Sequence, residues 1–165
     1  LVRQWALPGT EGLEHRVGGL EKTDIFGAVS TDPINHDKMV SNRNEKVQRV
    51  ADYIPEQDII GEDSGDVLVV SWGGTRGQVY DAVKNLQKQG KKISLAHFKY
   101  IMPLPKNTAD IFAKFKKIVV CELNDGQFAN YLRIVHPQFN YIKYNKIKGI
   151  PFTTTELINT FNQIF

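Results

Sequence analysis

Three apolar runs, each breaking into a polar or glycine-rich loop, organise the second part of the chain. Val67–Val70 leads into Ser71-Trp72-Gly73-Gly74-Thr75, and Ile93–Phe98 leads towards Met102-Pro103-Leu104-Pro105. Ile118–Val120 leads into Glu122-Leu123-Asn124-Asp125-Gly126-Gln127. Continuous apolar runs rich in branched side chains are what a parallel strand covered on both faces presents. Between them, helical spacing recurs at Val79, Val83 and Leu86, at Ile111, Phe112 and Phe115, at Phe128, Leu132 and Val135, and at Leu157, Phe161, Ile164 and Phe165. Tyr141–Tyr144 reads as a fourth strand. Thr75 with Gln78, Asn107, Asn124 with Gln127, and Thr153 with Glu156 are the expected helix caps, and Gly90 supplies a left-handed stop. The pattern predicts an α/β fold: three layers, α/β/α, around a mostly parallel sheet of about five strands.

The first part reads differently. Its opening 35 residues hold no sustained period and are broken by Pro8, Gly9, Gly12, Gly18, Gly19, Gly27 and Pro33. A helix is expected over about 36–54, with Met39, Val40, Val47, Val50, Ala51 and Ile54 on one face and Pro55 as the stop. Residues 56–66 form an acidic, glycine-containing linker with a short edge strand at Asp58–Ile60. The composition shift at Asp66/Val67 divides an irregular segment with one helix (1–66) from an α/β domain (67–165). So long an irregular stretch is expected to pack on something outside itself, and we read the chain as a fragment of a longer protein.

Net charge sharpens this division. Residues 1–66 sum to −6 and residues 67–165 to +9. The basic half could draw an acidic or phosphorylated partner, but its lysines are scattered and several sit where a helix C-terminus favours them, so nucleic acid is not expected. No apolar run approaches the roughly 20 residues of a membrane span, and no membrane association is expected. Cys121 is the single cysteine. It rules out an internal disulfide or a four-thiolate metal or iron–sulfur site within the chain, reads as a core residue, and fits a reducing, cytoplasmic setting.

Candidate chemistry is sparse. Gly73, Gly74, Thr75 and Gly77 follow a strand and open a helix, where free backbone N–H groups could hold an anion. The favoured reading is that the glycines serve a tight turn and close packing against a neighbour. The Gly-Lys-Ser/Thr ending of a phosphate loop is absent, as is a three-glycine dinucleotide fingerprint. Glu122 ends a strand beside Asn124, Gly126 and Gln127. With no second acid–base group nearby, hydrogen bonding to a neighbouring loop is favoured over a general-base role. His15 and Arg16 lie in a polar stretch where Arg16 could grip a carboxylate, or both could simply be solvated. His36 and His97 stand alone, no metal-ligand spacing occurs, and no catalytic residue is assigned.

The residues do carry a resemblance. Leu7-Pro8-Gly9-Thr10-Glu11-Gly12-Leu13-Glu14-His15-Arg16-Val17-Gly18-Gly19-Leu20-Glu21, with Asp32-Pro33, Asn35-His36 and Arg43-Asn44-Glu45-Lys46-Val47, resembles a stretch of the alpha subunits of 2-oxoacid:ferredoxin oxidoreductases. The likeness continues through Ser71–Thr75, Pro103-Leu104-Pro105, Glu122–Gln127 and Tyr144-Asn145-Lys146, and is greatest to the 2-oxoglutarate (KorA-like) subtype. It implies a transketolase C-terminal-like domain at the C-terminal end of an alpha subunit. The whole assembly, with a beta subunit, would convert a 2-oxoacid and CoA to acyl-CoA and CO2 on thiamine diphosphate with Mg, passing electrons through an iron–sulfur cluster to ferredoxin. The diphosphate/Mg motif and cluster cysteines are missing here, and the domain with the cofactor-activating glutamate would precede Leu1. The chain alone is therefore expected to bind none of these cofactors and to be inactive. His15 and Arg16 are the candidate substrate-approach residues, the Gly73–Gly77 loop a candidate anion or interface loop, and Glu122, Asn124, Gly126 and Gln127 candidate interface residues. Two other readings remain open: a non-catalytic subunit-assembly module, and a small independent nucleotide-binding α/β protein.

Overall fold

The computed structural model describes residues 5–15 and 18–165. The chain forms two compact units, Leu1–Tyr53 and Ile54–Phe165.

In the first unit Asp32 begins the helix: its carboxylate accepts from the Ile34 N–H at 3.1 Å, and Pro33 occupies the first helical position, where its missing N–H costs nothing. Helix α1 therefore runs Pro33–Arg49, starting earlier than the apolar spacing indicated and giving way to a 3-10 turn, Val50–Asp52, before Pro55 is reached. None of its residues is buried. The preceding segment is pinned by polar contacts. Arg43 grips Glu21 through two N–H donors at 2.9 and 3.3 Å, His36 Nδ1 lies 2.7 Å from the same carboxylate, and Lys38 pairs with Asp24. An antiparallel bridge joins Lys22 and Val29.

In the second unit the apolar runs form strands β1 (Gly65–Trp72), β2 (Ile93–Phe98), β3 (Phe115–Glu122) and β4 (Tyr141–Asn145), all parallel, in the order β2-β1-β3-β4. Among the described residues the sheet has four strands rather than about five. The expected edge strand at Asp58–Ile60 is reduced to one antiparallel bridge, Ile60 to Leu95, because Gly61 (φ 124°) turns the chain away at once. Residues of 54–66 nevertheless pack with the sheet, Ser94 Oγ donating to the Glu62 carbonyl, so the units part at Tyr53/Ile54, upstream of the composition shift.

Alternation along the strands divides the core. Leu68, Val70, Ala96, Phe98, Ile118 and Val120 point to the face covered by α3 (Thr108–Phe112) and α4 (Gln127–Val135). Val67, Val69, Leu95, Val119 and Cys121 point to the face covered by α2 (Arg76–Lys88) and α5 (Thr154–Ile164). Phe115, expected on a helix, starts β3 instead, leaving α3 a single short turn.

Two expected caps fail for identifiable reasons. The Gly73–Thr75 segment winds into a 3-10 turn, so the Thr75 hydroxyl donates back to the Trp72 carbonyl at 2.8 Å and is unavailable to Gln78. Asn107 is occupied by a distant backbone: its amide accepts from Gln57 N and donates to Gln57 O. Thr153 does cap α5, accepting from the Glu156 N–H, and Gly90 stops α2 at φ 81°.

Candidate functional site

Because all four strands are parallel, the loops after β1, β2, β3 and β4 emerge at one edge of the sheet. The strand order adds a second constraint. The chain leaves β1 towards β2 on one side and leaves β3 towards β4 on the other, so the loops after these adjacent strands diverge. In open α/β sheets such a divergence opens a crevice at the carboxyl edge. A cavity of about 130 Å³ lies there, lined by Trp72, Gly73, Gly74, Thr75, Leu123 and Asn124.

Glu122 anchors the floor. It is fully buried at the end of β3, yet its carboxylate is supplied with donors: Oε2 accepts from the Phe128 N–H at 2.8 Å, Oε1 from the Ala129 N–H at 2.9 Å, and the Trp72 indole N–H reaches Oε2 at 3.4 Å. The first two are orphan donors of α4, so a strand carboxylate caps the next helix and sits at the positive end of its dipole. The same bond holds Trp72 against the crevice, with its ring edge-on to Phe128 at 6.4 Å. Asn124 folds the intervening loop, its side-chain oxygen accepting from Gly126 N at 2.7 Å and Gln127 N at 3.2 Å.

Gly126 is needed at its position twice over. Its φ of 89° is left-handed, and a Cβ there would stand 2.9 Å from Asn145 Nδ2 and 3.0 Å from Lys143 Nζ. Gly73 (φ 58°), Gly74 and Gly77 face open space, so backbone rather than side chain is presented there. Gln127 is exposed. The structure thus gathers Gly73, Gly74, Thr75, Glu122, Asn124, Gly126 and Gln127 along the two loops flanking the crevice, and Gly77 follows on α2. His15 lies in the other unit, exposed, with Nδ1 2.8 Å from the Leu13 carbonyl; Arg16 lies outside the described residues.

One arrangement escaped the sequence reading, which left His97 alone. Register sets Ser71 of β1 beside His97 of β2, and Ser71 Oγ lies 2.8 Å from His97 Nδ1. Burial lowers the His97 pKa below its usual value, helped by the charges of Arg76 and Lys99, which favours the neutral ring. The signal was available: two runs of equal apolar depth, paired in parallel, bring their polar ends level. Trp72 and Leu123 escaped as crevice-lining residues because only the strand order makes their loops neighbours.

The chain is 36% identical over 162 residues to the 2-oxoglutarate oxidoreductase subunit KorA of Mycobacterium tuberculosis, a match covering 95% of this chain and 24% of that one. It is 26% identical over 145 residues to 2-oxoacid:ferredoxin oxidoreductase 1, subunit alpha, of Aeropyrum pernix, covering 84% and 23%. The chain thus spans about a quarter of the length of these curated relatives. Among solved structures, the 2-oxoglutarate:ferredoxin oxidoreductase of Magnetococcus marinus, with 2-oxoglutarate, coenzyme A and succinyl-CoA bound, superposes with a TM-score of 0.82 at 31% identity, covering 96% of this chain and 28% of that one. A split-gene transketolase shares the fold alone, with a TM-score of 0.52 at 14% identity over 66% of this chain and 41% of that one. Residues 65–153, more than half of the chain, match the family described as pyruvate:ferredoxin oxidoreductase core domain II, and the chain belongs to that family.

Proposed function

We propose that this chain is the C-terminal part of the alpha subunit of a cytoplasmic 2-oxoglutarate:ferredoxin oxidoreductase, with residues 1–66 as an interdomain segment and residues 67–165 as the transketolase C-terminal-like domain. The whole enzyme converts 2-oxoglutarate and CoA to succinyl-CoA and CO2, and the electrons released reduce ferredoxin. The observation that carries this reading is the match of 96% of the chain, at 31% identity, to an enzyme holding 2-oxoglutarate, coenzyme A and succinyl-CoA.

The residues present do not fit the cofactors such an enzyme uses. Cys121 is wholly buried, and burial raises its thiol pKa far above the range in which thiolates form. Among the described residues no three His, Cys, Asp or Glu side chains stand together as a metal set. On this reading thiamine diphosphate, Mg and the cluster belong to the beta subunit and to other domains. What this chain contributes is assembly and enclosure. Its buried carboxylate accepts from two N–H groups of α4 and from the Trp72 indole, while Met102, at 65% exposure, and Leu123 present apolar surface at the carboxyl edge. Apolar surface held rigidly at a loop edge supports contact with a neighbouring domain or subunit.

The test uses the full-length subunit assembled with its beta subunit. Ferredoxin reduction dependent on both 2-oxoglutarate and CoA is expected, and its absence with every 2-oxoacid tried overturns the reading. In the same complex His15→Ala and Arg16→Ala are expected to lower kcat/KM for 2-oxoglutarate, and wild-type kinetics in both removes the substrate-approach role. The engaged state of the edge also favours a second reading, a purely structural assembly module. Asn124→Ala and Gln127→Ala decide that point: lost assembly with normal residual chemistry supports it.

A further inference from the structure

The outward side of α2 carries Arg76, Tyr80, Lys84 and Lys88, spaced one helical turn apart, so a single stripe runs about 18 Å along the helix. The Arg76 guanidinium and Lys84 ammonium both lie over the Tyr80 ring, at 6.0 and 5.9 Å from its centre. Among the described residues none of the three cations forms an ion pair, although Lys84 is half-buried. Arg76 also stands at the positive end of the helix, and the first turn holds no acidic residue to offset it. Helix stability accounts for Lys88 in the last turn but not for Arg76. Beside the stripe, between α2 and the start of α5, lies an open cleft of about 430 Å³ lined by Tyr80, Asp81, Lys84, Asn85, Lys88 and Thr154.

We propose that this face docks an acidic segment of a partner protein, with Tyr80 as the central anchor and the cations meeting its carboxylates. Length and charge pattern choose the occupant. Cations spread over about 18 Å, more than three helical turns, match side chains along a protein segment better than one compact polyphosphate, and a segment can place its carboxylates on the stripe away from Asp81 in the cleft. A second copy of this domain is disfavoured too, since residues 67–165 carry +9. An aromatic flanked by charge at the middle of a face is the composition of an interface anchor, and opposed charge steers such an encounter. The inference rests on the proposed function only in seeking the partner within that assembly.

The test is labelling of the assembled full-length enzyme: acylation of Lys84 and Lys88, and nitration of Tyr80. Protection is expected at low salt and should be lost near 1 M salt, where screening shortens to about 3 Å. Lys84→Glu combined with Lys88→Glu should expose Tyr80 at low salt, raising its labelling roughly tenfold, the loss expected for a few exposed ion pairs. Full labelling of the wild type at low salt overturns the proposal, as does protection indifferent to salt. Protection that arises only on adding inorganic pyrophosphate assigns the face to a small anion and overturns it equally. Ferredoxin reduction by the same preparation reports separately on the enzyme reading.

Discussion

Replacing Glu122 by glutamine tests whether the carboxyl edge is built on a buried charge. The substitution preserves shape but turns one oxygen into an NH2 group facing a backbone donor of α4. One of the two bonds, at 2.8 or 2.9 Å, is then lost, and the other loses its charge assistance. A hydrogen bond to a charged group contributes about 1.5–3 kcal/mol, and a buried donor left unpaired costs about 1–3 kcal/mol. A favourable helix-dipole contact, up to about 2 kcal/mol when partly buried, disappears as well. Relief of the buried charge's desolvation offsets part of this sum, leaving a net loss of about 2 kcal/mol. In a chain of this size that lowers Tm by roughly 4–8 °C. The assay is denaturant unfolding of the full chain, where the midpoint should fall at constant m. Asp125→Asn is the control: Asp125 is exposed near the same helix end, and its loss should stay within about 0.5 kcal/mol. If Glu122→Gln is as stable as the wild type, the carboxylate does not hold the edge and the argument for a prebuilt crevice fails.

Other perturbations bear on separate parts of the structure. Gly126→Ala should cost about 1–2 kcal/mol in the same assay, since alanine pays for a left-handed φ and its Cβ must push back Asn145 and Lys143; a neutral outcome would mean the loop adopts another turn. Glu21 titrates near 2 rather than 4.5 because Arg43, and then His36, bind its carboxylate. A depressed carboxyl contributes stability above its unfolded value, and that contribution drains away as pH falls from about 4.5 to about 2. NMR titration should show the low midpoint, and Arg43→Ala should return it most of the way; an ordinary midpoint in the wild type refutes the clasp. His97, lowered by burial and then by Arg76 and Lys99, runs by the same linkage. The unfolded chain holds the proton more tightly, so stability should fall as pH drops below about 6.5, and Arg76→Ala should raise the NMR midpoint of His97.

The architecture was legible because its inner strands are covered on both faces. Val67–Val70 and Ile118–Val120 have no polar alternation to confuse with a solvated strand, and the helices between them keep one apolar stripe each. Boundaries were less legible wherever tertiary contacts took the capping group. Asn107 looks like a local cap, yet Gln57, fifty positions away, claims both ends of its amide. The cap of α4 comes from Glu122, six and seven positions before the N–H groups it serves, a spacing outside any local capping pattern. Helix α1 was visible by its spacing but its stripe stays unburied, so periodicity there marks a surface rather than a core.

The candidate site was legible in its residues and illegible in its shape, and the reason lies in topology. Nothing local relates Trp72 to Leu123, whose loops meet only because β1 and β3 are neighbours while their chains leave in opposite directions. The same strand order decides what the edge can do. It draws the Trp72 indole onto the buried Glu122 carboxylate, which already accepts from two N–H groups of α4. An edge whose buried carboxylate is bound by the next helix, and whose crevice is lined by an indole, glycine backbone, Thr75, Leu123 and Asn124, is held in shape by that carboxylate.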